Sequence, residues 1–419
     1  MTAPDAEVLV VGGGPAGSAT ATLLARRGHD VLLLDRAAFP RAKACAEYLS
    51  PGVVDVLGRL GVQDAIGQAG VAWLRGMRIQ TRHASVDITY PSGHNGGLAR
   101  CALGVPREVF DTMLLDNARA SGARVQERTY VSSVMLEEGQ VVGARVRSGS
   151  AQSPAPALAD SDEAASPAPY ESLIRARVVV AADGLHSAVA RSLGLERQVR
   201  WPRRLGLVAR YAGGTALGDS GEMHVGHRLY CGLAPVGGGL VNVGLVGELP
   251  LKRSGESREE LFERRLAKLP GAMRALAGAR RVTPVRGAGP LARGVRRVMG
   301  PGYLLVGDAA GFLDPFTGEG IYRALRGAEL AAEAVERALE RPDCLPIGYA
   351  QARAAAFGEK ERVTWLIQLF MISPRWFDYV LRNLAKRPAL AALLGGILGD
   401  YRPAGAALRP AFLAALLRP

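Results

Sequence analysis

Cysteines, histidines and long hydrophobic runs are all scarce in this sequence. Its 419 residues include four cysteines, which form no CxxC pair, and six histidines, a pattern typical of proteins in a reducing compartment. No apolar run reaches the roughly 20 residues that a membrane-spanning helix needs. The first apolar segment, EVLVVGGG, begins almost at the start of the chain, which argues against a signal peptide. We therefore expect a cytoplasmic protein without disulfides or spanning helices.

Blocks of like charge and clusters of metal-binding side chains are also missing from the sequence. The formal net charge is +13, but the arginines that produce it are spread along the chain without interleaved aromatic residues, so nucleic acid is not an expected partner. Anionic lipid or an acidic substrate suits this charge better. His224 and His227 form an H-x-x-H pattern, yet side chains three residues apart in a strand point to opposite faces. We therefore predict no metal site.

The order of apolar segments predicts an α/β protein with two interleaved domains and a helical end. A chain of this length exceeds what one core usually holds. Strand–turn–helix patterns over 1–75, 98–197 and 288–340 predict a doubly wound domain, whereas short strands over 76–97 and 198–287 predict a β-rich second domain. Residues 341–419 are helical in pattern. An Ala/Pro/Ser/Asp-rich segment, 148–169, predicts a disordered loop within the first domain.

A glycine-rich turn follows the first apolar strand, in the segment VLVVGGGPAGSATATLL. It fits the GxGxxG pattern: Gly12 permits the tight turn, Gly14 lets the backbone approach a pyrophosphate, and Gly17 permits close helix packing. Asp35 ends the next strand at the distance expected for a carboxylate that accepts ribose hydroxyls. We therefore predict a dinucleotide site. Its predicted contacts are Gly12, Gly14, Ala16, Gly17, Asp35 and Arg36.

Two later motifs also follow buried strands. AADGLHS has a form that flavoproteins place against FAD and a second nucleotide. In GDAAGFLDPFTGEGI, Asp308 lies at a strand's end, where a carboxylate can bind a ribityl hydroxyl. A helix that opens at about Gly318 would offer its N–H dipoles to the pyrimidine edge of a flavin. The further predicted cofactor contacts are Arg107 in PREVFD, Val131, Asp183, Gly184, Asp308, Pro315, Gly318, Gly320 and Ile321.

The four motifs occur in the order GxGxxG, R-x-x-FD, ADG and GDAAG. In this order they resemble the FAD-dependent oxidoreductases of the para-hydroxybenzoate hydroxylase and geranylgeranyl reductase superfamily, which includes aromatic hydroxylases and flavin halogenases. The resemblance covers Val8 to about Leu339. It implies FAD as the cofactor, a Rossmann-like FAD-binding domain interleaved with a β-sheet substrate domain, and a flavin ring between them. No second dinucleotide fingerprint is present, so NAD(P)H would dock only transiently as the electron donor.

The segment KACAEYL, which begins at Lys43, resembles the Lys-x-Cys-Gly-Glu-Gly-Leu loop of geranylgeranyl reductases. In that family the loop lies beside the isoalloxazine, and both of its glycines are replaced here, by Ala46 and Tyr48. The resemblance implies that Cys45 lies near the flavin, where its thiol is a candidate catalytic proton donor. A nearby Lys43 or Arg41 would favour the thiolate. The alternative is that Cys45 is a small residue that packs against the ring.

The predicted substrate domain differs from that of the lipid reductases. Geranylgeranyl reductases carry an aromatic-x-Trp-x-Phe-Pro segment, whereas the matching stretch, LYCGLAPVGGGLVNVGLV, keeps Tyr230 and Pro235 but lacks the tryptophan. This stretch looks more like that of flavin hydroxylases that act on lipophilic phenolic polyketides. The Trp-x-Trp-x-x-Pro motif of halogenases is absent, which disfavours halogenation. Tyr48, Tyr230 and Pro235 are therefore the candidate substrate contacts.

These features leave three functions open. An NAD(P)H-driven monooxygenase that hydroxylates a lipophilic phenolic or quinone-like substrate is favoured by the altered substrate segment. Reduction of isoprenoid double bonds is favoured by the loop around Cys45. A non-catalytic flavin-binding electron carrier is disfavoured by the intact cofactor motifs. The C-terminal stretches WLIQLFMI and ALAALLGGILG predict a cover over the substrate cavity or core, with a peripheral membrane contact as the alternative. The oligomeric state is not indicated.

Overall fold

The computed structural model describes residues 3–91, 101–148, 170–213, 217–249 and 255–418. Nearly all of the loop predicted over 148–169 therefore lies outside the described residues. The described strands are β1 (Ala6–Val11), β2 (Val31–Leu34), β3 (Tyr48–Leu49), β4 (Ala72–Leu74), β5 (Gly76–Gln80), β6 (Ser85–Thr89), β7 (Ala102–Gly104), β8 (Arg124–Gln126), β9 (Thr129–Glu137), β10 (Gln140–Ser148), β11 (Tyr170–Ala181), β12 (Glu196–Gln198), β13 (Arg204–Gly213), β14 (Ser220–Gly226), β15 (Leu229–Gly237), β16 (Leu240–Glu248), β17 (Ala279–Arg281), β18 (Arg286–Ala288), β19 (Arg293–Val295), β20 (Met299–Gly300) and β21 (Tyr303–Leu305). The described α-helices are α1 (Pro15–Arg26), α2 (Gly52–Arg59), α3 (Gln63–Gln68), α4 (Arg107–Ala120), α5 (Ala188–Ser192), α6 (Arg258–Leu266), α7 (Pro270–Ala275), α8 (Gly320–Leu339), α9 (Tyr349–Phe370), α10 (Pro374–Ala385), α11 (Pro388–Leu398) and α12 (Pro410–Leu417).

The first sheet is built on buried apolar strands near the N-terminus. β1 and β2 read AEVLVV and VLLL, and continuous apolar runs of this kind form parallel strands that are covered on both faces. The parallel part has the order β21–β11–β1–β2–β8, so distant parts of the chain lie beside β1. Side chains of α1, α4 and α8 cover one face. The antiparallel pair β9–β10 and the short helix α5 cover the other.

The second sheet has the order β17–β13–β16–β15–β14–β5–β6, and β18 also pairs with β13. The alternating segment MRIQTRHASVDITY forms a hairpin of β5 and β6. Successive side chains along a strand point to opposite faces, and both faces of this sheet carry apolar side chains. One face packs against α6 and α7, and the other packs against the C-terminal helices α9 to α12.

A small sheet of β3, β7 and β4 lies against the second sheet. Gly104 of β7 approaches β15 so closely that a Cβ atom there would lie 1.6 Å from the carbonyl oxygen of Pro235. Any side chain at position 104 would therefore separate the two sheets. Because Tyr48 begins β3, this contact also fixes the end of the loop that carries Cys45.

The α/β architecture expected from the sequence, with its interleaved β-rich part and helical C-terminal region, is confirmed. One predicted boundary is wrong, because the helix expected to open at about Gly318 begins at Gly320. Asp314 caps a 3₁₀ turn over Pro315–Thr317, and Gly318 then takes a left-handed conformation with a φ of 67°, which is incompatible with an α-helix. Among the helices of the described residues, none combines the length and the hydrophobicity that crossing a bilayer requires.

A buried group of charged side chains joins the C-terminal helices to the first-sheet domain. The Lys360 ammonium of α9 binds the Asp400 carboxylate, donates to the Leu398 carbonyl at 3.1 Å, and lies 3.5 Å from Glu319, which precedes α8. The Ser50 hydroxyl donates to Asp400 Oδ2 at 2.6 Å. Burial raises the pKa of Asp400 to about 6, although the Lys360 charge opposes this shift. This contact between two parts of the fold therefore contains a carboxyl group that titrates near neutral pH.

Replacing Asp400 by asparagine removes the charge and keeps a residue type that tolerates the left-handed backbone found here, with a φ of 63°. The folded-state pKa of about 6 lies above the ordinary value of 3.8, so the native state takes up the proton first as the pH falls. Asp400 therefore stabilises the folded state at pH values near 3.8, and this stabilisation is lost as the pH rises through about 6. In denaturant titrations, we expect the unfolding free energy of the wild type, relative to D400N, to fall by about 1 kcal/mol between about pH 5 and about pH 7.5. A difference that does not change with pH would contradict this expectation.

Candidate flavin site

Three loops meet at the carboxyl ends of neighbouring parallel strands. The loop Gly12–Gly17 follows β1, Asp183 and Gly184 follow β11, and Asp308 follows β21, and these strands are adjacent in the first sheet. Loops at this edge form the ligand crevice of doubly wound proteins. The structure therefore brings together residues that the sequence supplied in three separate motifs.

The glycine turn excludes side chains at two of its positions. Gly12 has a φ of 102°, and a Cβ atom there would lie 2.5 Å from the Ala182 carbonyl oxygen. A Cβ atom on Gly17 would lie 1.8 Å from the Gly12 carbonyl oxygen. A Cβ atom on Gly14 would meet only the Arg41 guanidinium, at 3.5 Å. Gly14 is also the N-cap of α1, whose first turn has no acidic residue and no side-chain cap, so its N–H groups are suited to an anion.

Asp35 holds the glycine turn from the end of β2. Its Oδ2 atom accepts from the Gly13 N–H at 2.7 Å, and its Oδ1 atom accepts from the Ala37 N–H at 2.8 Å. Arg41 lies 3.6 Å from the same carboxylate. Each carboxylate oxygen retains acceptor capacity for a ribose hydroxyl, the role predicted for Asp35. The side chain of the neighbouring Arg36, also predicted as a contact, is exposed.

Asp183 carries a buried acceptor that no described residue satisfies. Its Oδ2 atom accepts from the backbone N–H groups of Ala188, at 2.7 Å, and Val189, at 3.3 Å, whereas Oδ1 has no hydrogen-bond partner among the described residues. Burial raises the pKa of Asp183. Lys43 Nζ lies 3.5 Å from where a Cβ atom on Gly184 would stand. Since an unsatisfied buried oxygen is costly, a ligand hydroxyl suits this position.

The third loop runs from β21 to α8. Asp308 lies in a 3₁₀ turn directly after the strand, and the turn Pro315–Thr317 then leads through Gly318 to Gly320 and Ile321, the first two residues of α8. The Thr317 hydroxyl is buried and has no hydrogen-bond partner among the described residues. The first turn of α8 contains no acidic side chain, and the carboxylate of its N-cap residue Glu319 is paired with Arg323, at 3.3 Å, and Lys360, at 3.5 Å, so the helix N-terminus is suited to a negative charge.

Together these loops fit FAD. A Cβ atom on Gly307 would lie 3.0 Å from the Ala16 side chain, so the glycine turn and the third loop are in direct contact. The α1 N-terminus and Arg41 would hold the pyrophosphate, and Asp183 and Asp308 would accept from hydroxyl groups of the ligand. The α8 N-terminus would stabilise negative charge on the flavin ring.

Cys45 lies between the flavin loops and the second sheet, and it is half-buried. The Asn242 amide of β16 donates to its carbonyl oxygen at 3.0 Å. Its thiol accepts from the Glu47 N–H at 3.4 Å and interacts electrostatically with Arg107 of α4, whereas the sequence suggested Lys43 or Arg41. Burial, with a smaller contribution from Arg107, lowers the pKa of Lys43. The thiol therefore has a charged neighbour that its own loop does not supply.

Arg107 is buried and is held by Asp111 one helical turn later. Its Nε and Nη2 atoms donate to the two carboxylate oxygens at 2.7 and 2.8 Å. Arg41 Nη1 lies 3.5 Å from the same carboxylate. A cofactor contact of the Arg107 side chain stays a prediction, since its guanidinium binds Asp111 and Cys45. Asp111 was missed, although its i,i+4 spacing from Arg107 was a sequence signal.

Glu47 anchors the Cys45 loop to two other parts of the fold. Its side chain is buried, and Oε1 accepts from the Arg107 N–H at 2.9 Å. Arg210 of β13 donates through Nε to Glu47 Oε2 at 2.8 Å and through Nη2 to Glu108 Oε2 of α4 at 2.6 Å. The hydrogen bond to Glu108 is the strongest influence that raises the pKa of Arg210. No sequence pattern pointed to Arg210, because its partners are distant in the chain.

Tyr48, a predicted substrate contact, lies beside the third flavin loop. Its ring carbons are 3.1 Å from where a Cβ atom on Gly318 would stand and 3.5 Å from the equivalent position on Gly221 of β14. Its hydroxyl oxygen is 2.5 Å from that of Tyr90. Burial raises the pKa of Tyr48 well above its ordinary value, so the phenol stays protonated at neutral pH.

An apolar cavity begins at Phe316 of the third loop and extends under the C-terminal helices. Ile79 of β5 forms one wall, and every lining side chain is apolar. The cavity measures about 70 Å³, so an alkyl chain enters only when lining side chains move. The remaining lining residues are Val363, Leu366, Ile367, Phe370, Phe377, Val380, Leu381, Leu384, Leu394, Leu398, Ala407, Phe412 and Leu416.

A buried polar group lies next to the start of this cavity. Asp314 accepts from the Tyr230 hydroxyl at 2.7 Å, from Arg204 Nη1 at 2.7 Å and from the Phe316 N–H at 3.0 Å. Arg204 also donates to the Gln368 amide oxygen of α9. Tyr230, predicted as a substrate contact, thus uses its hydroxyl to hold the loop, while its ring lies 5.2 Å from the ring of Phe316.

The side chains of two predicted site residues lie outside the apolar cavity and the flavin crevice. Pro235 and Tyr230 are five residues apart in β15, so their side chains point to opposite faces and Pro235 is not among the cavity lining. Val131 of β9 is buried in the core beneath the first sheet. Its side chain therefore points away from the crevice. The main chain of β9 does reach the crevice, since the N–H of Thr129, two residues earlier, donates to the Asp35 carbonyl at 2.9 Å.

Comparison with known proteins places these observations in context. The family model described as an FAD binding domain matches residues 5–340. Menaquinone reductase of Mycobacterium tuberculosis strain H37Rv is 31% identical, and the alignment covers 94% of this chain and 92% of that protein. Digeranylgeranylglycerophospholipid reductase 1 of Methanopyrus kandleri is 31% identical over 80% of this chain and 82% of that protein. Among solved structures, the flavin-dependent brominase Bmp2 has a TM-score of 0.79 at 20% identity, with 98% of each chain covered, a likeness of fold alone.

The two glycines Gly14 and Gly17 differ in what a methyl group would disturb. Gly14→Ala adds a Cβ in ordinary contact with Arg41, so we expect the apoprotein to fold normally, with an FAD affinity lowered by at least about ten-fold, or about 1.4 kcal/mol. Gly17→Ala places its Cβ against the Gly12 carbonyl, so the melting temperature of the apoprotein should fall as well. Gly67→Ala is the control, because nothing lies within 4 Å of its Cβ. Flavin fluorescence titration and thermal melts measure both effects, and normal FAD affinity in Gly14→Ala would contradict the assigned pyrophosphate site.

Proposed function

We propose that this chain, which belongs to the FAD-binding domain family and is an FAD-dependent oxidoreductase, reduces carbon–carbon double bonds in the polyprenyl chain of a lipid. The apolar cavity that begins at Phe316 carries the proposal, because it joins the flavin loops directly to a space lined by aliphatic and aromatic side chains. The names of the relatives support it. Menaquinone and digeranylgeranylglycerophospholipid both contain polyprenyl chains, and both relatives are named as reductases.

The cavity suits a flexible hydrocarbon better than a polar aromatic molecule. None of its lining residues carries a hydrogen-bonding side chain, so a substrate hydroxyl or carbonyl held there would lose its hydrogen bonds to water without replacement. A polyprenyl chain loses none. The hydroxyl groups that lie nearby, those of Tyr48, Tyr90 and Tyr230, are already paired with one another or with Asp314.

Each part of the site then has a defined task. When bound and reduced, FAD supplies a hydride. The cavity holds the chain and excludes water, and Asp314 fixes the loop that joins the cavity to the flavin crevice. Reduction adds the hydride to one alkene carbon and a proton to the other, so the substrate gains two hydrogens and no oxygen. The Cys45 thiol, or a water molecule beside it, is the proposed proton source.

Three further expectations from the sequence, on the electron donor, the compartment and the substrate, form part of this proposal. NAD(P)H, docking transiently, is the proposed source of electrons for FAD. The cytoplasm is the proposed compartment, since Cys101, Cys231 and Cys344 are buried free thiols of the kind that persist in reducing surroundings. The substrate is a lipophilic small molecule.

Hydroxylation of a phenolic or quinone-like substrate, the function that the substrate segment favoured in the sequence, stays a prediction. The missing tryptophan that supported it corresponds to Gly232, two residues after Tyr230, where the Met223 side chain lies 3.6 Å from the position of an added Cβ atom. The two reactions differ in whether oxygen enters the product, which makes a single measurement decisive.

The test is mass spectrometry of products formed by the purified holoenzyme. A lipid with geranylgeranyl chains is supplied together with NADPH or dithionite, once without oxygen and once in air. We expect products that gain hydrogens in pairs, in equal yield under both conditions. Products heavier by one oxygen atom and formed only in air would show a monooxygenase and overturn the proposal. Neither change, with FAD that is fully reduced, would also overturn it.

Cys45→Ala tests the proton source. Loss of a positioned proton donor lowers rates by about 10²- to 10⁴-fold, so we expect turnover of the lipid to fall by at least about 10²-fold in this variant. Binding of FAD should be retained, because the Asn242 bond is made to the Cys45 main chain. Cys101→Ala, which changes a buried thiol away from the flavin loops, is the matched control. Turnover equal to that of the wild type would show that Cys45 only packs against its surroundings and that water supplies the proton.

A further inference from the structure

We propose that an exposed apolar ridge on the C-terminal helices docks on a bilayer that contains anionic lipid, and that the cavity beneath it takes the polyprenyl chain directly from that bilayer. This rests on the proposed function, because it identifies where the lipid substrate is collected. The ridge is formed by Trp365 and Leu369 of α9, Ile372 in the turn that follows, and Trp376 of α10.

These four side chains are exposed although they are large and apolar. Their exposed fractions are 40% for Trp365, 56% for Leu369, 57% for Ile372 and 57% for Trp376. Trp365, Leu369 and Ile372 are spaced i, i+4 and i+7, so they follow one face of α9 and the turn after it. Trp376 lies in the first turn of α10, four residues after Ile372. Contiguous apolar side chains on a surface mark a site of interaction with a protein or a membrane.

Aromatic residues extend the ridge on both sides. Trp365 lies against Trp201, with ring centroids 5.8 Å apart, and Trp376 lies against Tyr379, at 6.1 Å. The Tyr379 hydroxyl donates to the Leu417 carbonyl at 2.6 Å, and Leu417 is itself 42% exposed. Tryptophan and tyrosine are the residues that favour the boundary between lipid headgroups and acyl chains.

The C-terminal helices that carry the ridge expose mainly basic side chains. Residues 362–418, all of which the structure describes, contain eight basic side chains, and seven are exposed: Arg362, Arg375, Arg382, Lys386, Arg402, Arg409 and Arg418. The two carboxylates in this range, Asp378 and Asp400, are buried. Just before it, Glu361 pairs with Arg323 and Glu359 accepts from the Gly405 N–H at 2.8 Å. Such a surface complements anionic lipid headgroups, where each cation near the membrane contributes about 1 kcal/mol.

Residues that line the cavity lie on the same helix as the ridge. Leu366, Ile367 and Phe370 alternate along α9 with Trp365 and Leu369, line the cavity, and are half-buried. The inner end of the cavity is Phe316, in the flavin loop. In this proposal, a hydrocarbon chain that leaves a bilayer at the ridge passes among these apolar side chains towards Phe316.

The experiment is co-sedimentation of the full-length holoenzyme with vesicles of phosphatidylcholine, alone or mixed with phosphatidylglycerol. The test variant is the double substitution Leu369→Ser and Ile372→Ser. The matched control is Leu136→Ser and Leu173→Ser, which removes two leucines that are 55% and 53% exposed on strands of the first domain. Bound flavin absorbance and the melting temperature confirm that each variant is folded.

We expect the wild type to bind mixed vesicles at low salt. Its binding to vesicles of phosphatidylcholine alone, and to mixed vesicles at high salt, should each be at least about ten-fold weaker than that. The ridge variant should lose at least about ten-fold in binding to mixed vesicles, whereas the control variant should bind as the wild type does. Equal binding by the ridge variant and the wild type would overturn the proposal. So would a ridge variant that changes only from dimer to monomer in size-exclusion chromatography, since the ridge would then bind a second copy of the chain. Vesicle binding needs no turnover, so it can succeed or fail independently of the proposed reaction.

Discussion

Asp314 places a buried negative charge where three parts of the protein meet. Arg204 comes from the second sheet, Gln368 from helix α9, and the Phe316 N–H from the flavin loop itself. Breaking one partner from a buried ion pair costs about 3–5 kcal/mol, because the remaining charge stays without compensation. The flavin loop, the sheet and the C-terminal helices are therefore held in one arrangement. This arrangement determines where the cavity begins relative to the flavin crevice.

The cofactor crevice was predictable from the sequence because its requirements are local. A tight turn needs glycine at position 12, a close helix approach needs glycine at position 17, and a buried strand followed by an acid marks Asp35 and Asp308. Parallel pairing then brings these loops to one edge. The Arg204–Asp314 pair was not predictable, since its members are 110 residues apart and Arg204 belongs to no motif. The start of α8 was misplaced by two residues for a related reason: the Asp314 cap that creates the 3₁₀ turn has its other partners in distant segments.

The structure also explains a departure from the reductase loop pattern. Tyr48 stands where the loop of geranylgeranyl reductases has its second glycine. In the fold, its ring is accommodated by Gly318 and Gly221, whose missing side chains leave the necessary space, and its hydroxyl is satisfied by Tyr90. The substitution is therefore compensated on both sides and does not disturb the loop that carries Cys45. Residue-by-residue comparison with a motif could not detect this, because the compensation comes from three other segments.

The two ends of the cavity differ in the polar groups that lie near them. The paired tyrosines, Cys45 and Asp314 all lie towards the flavin loops, whereas the outer end meets an apolar ridge surrounded by arginines. A lipid with an anionic head and a polyprenyl tail matches this gradient in one orientation only, with its tail towards Phe316 and its head among the cations. The opposite orientation would bury a charge among apolar side chains, at a cost of several kcal/mol. Under the proposed function, selection for lipids that carry such a chain follows from desolvation, without a hydrogen bond to the reacting double bond.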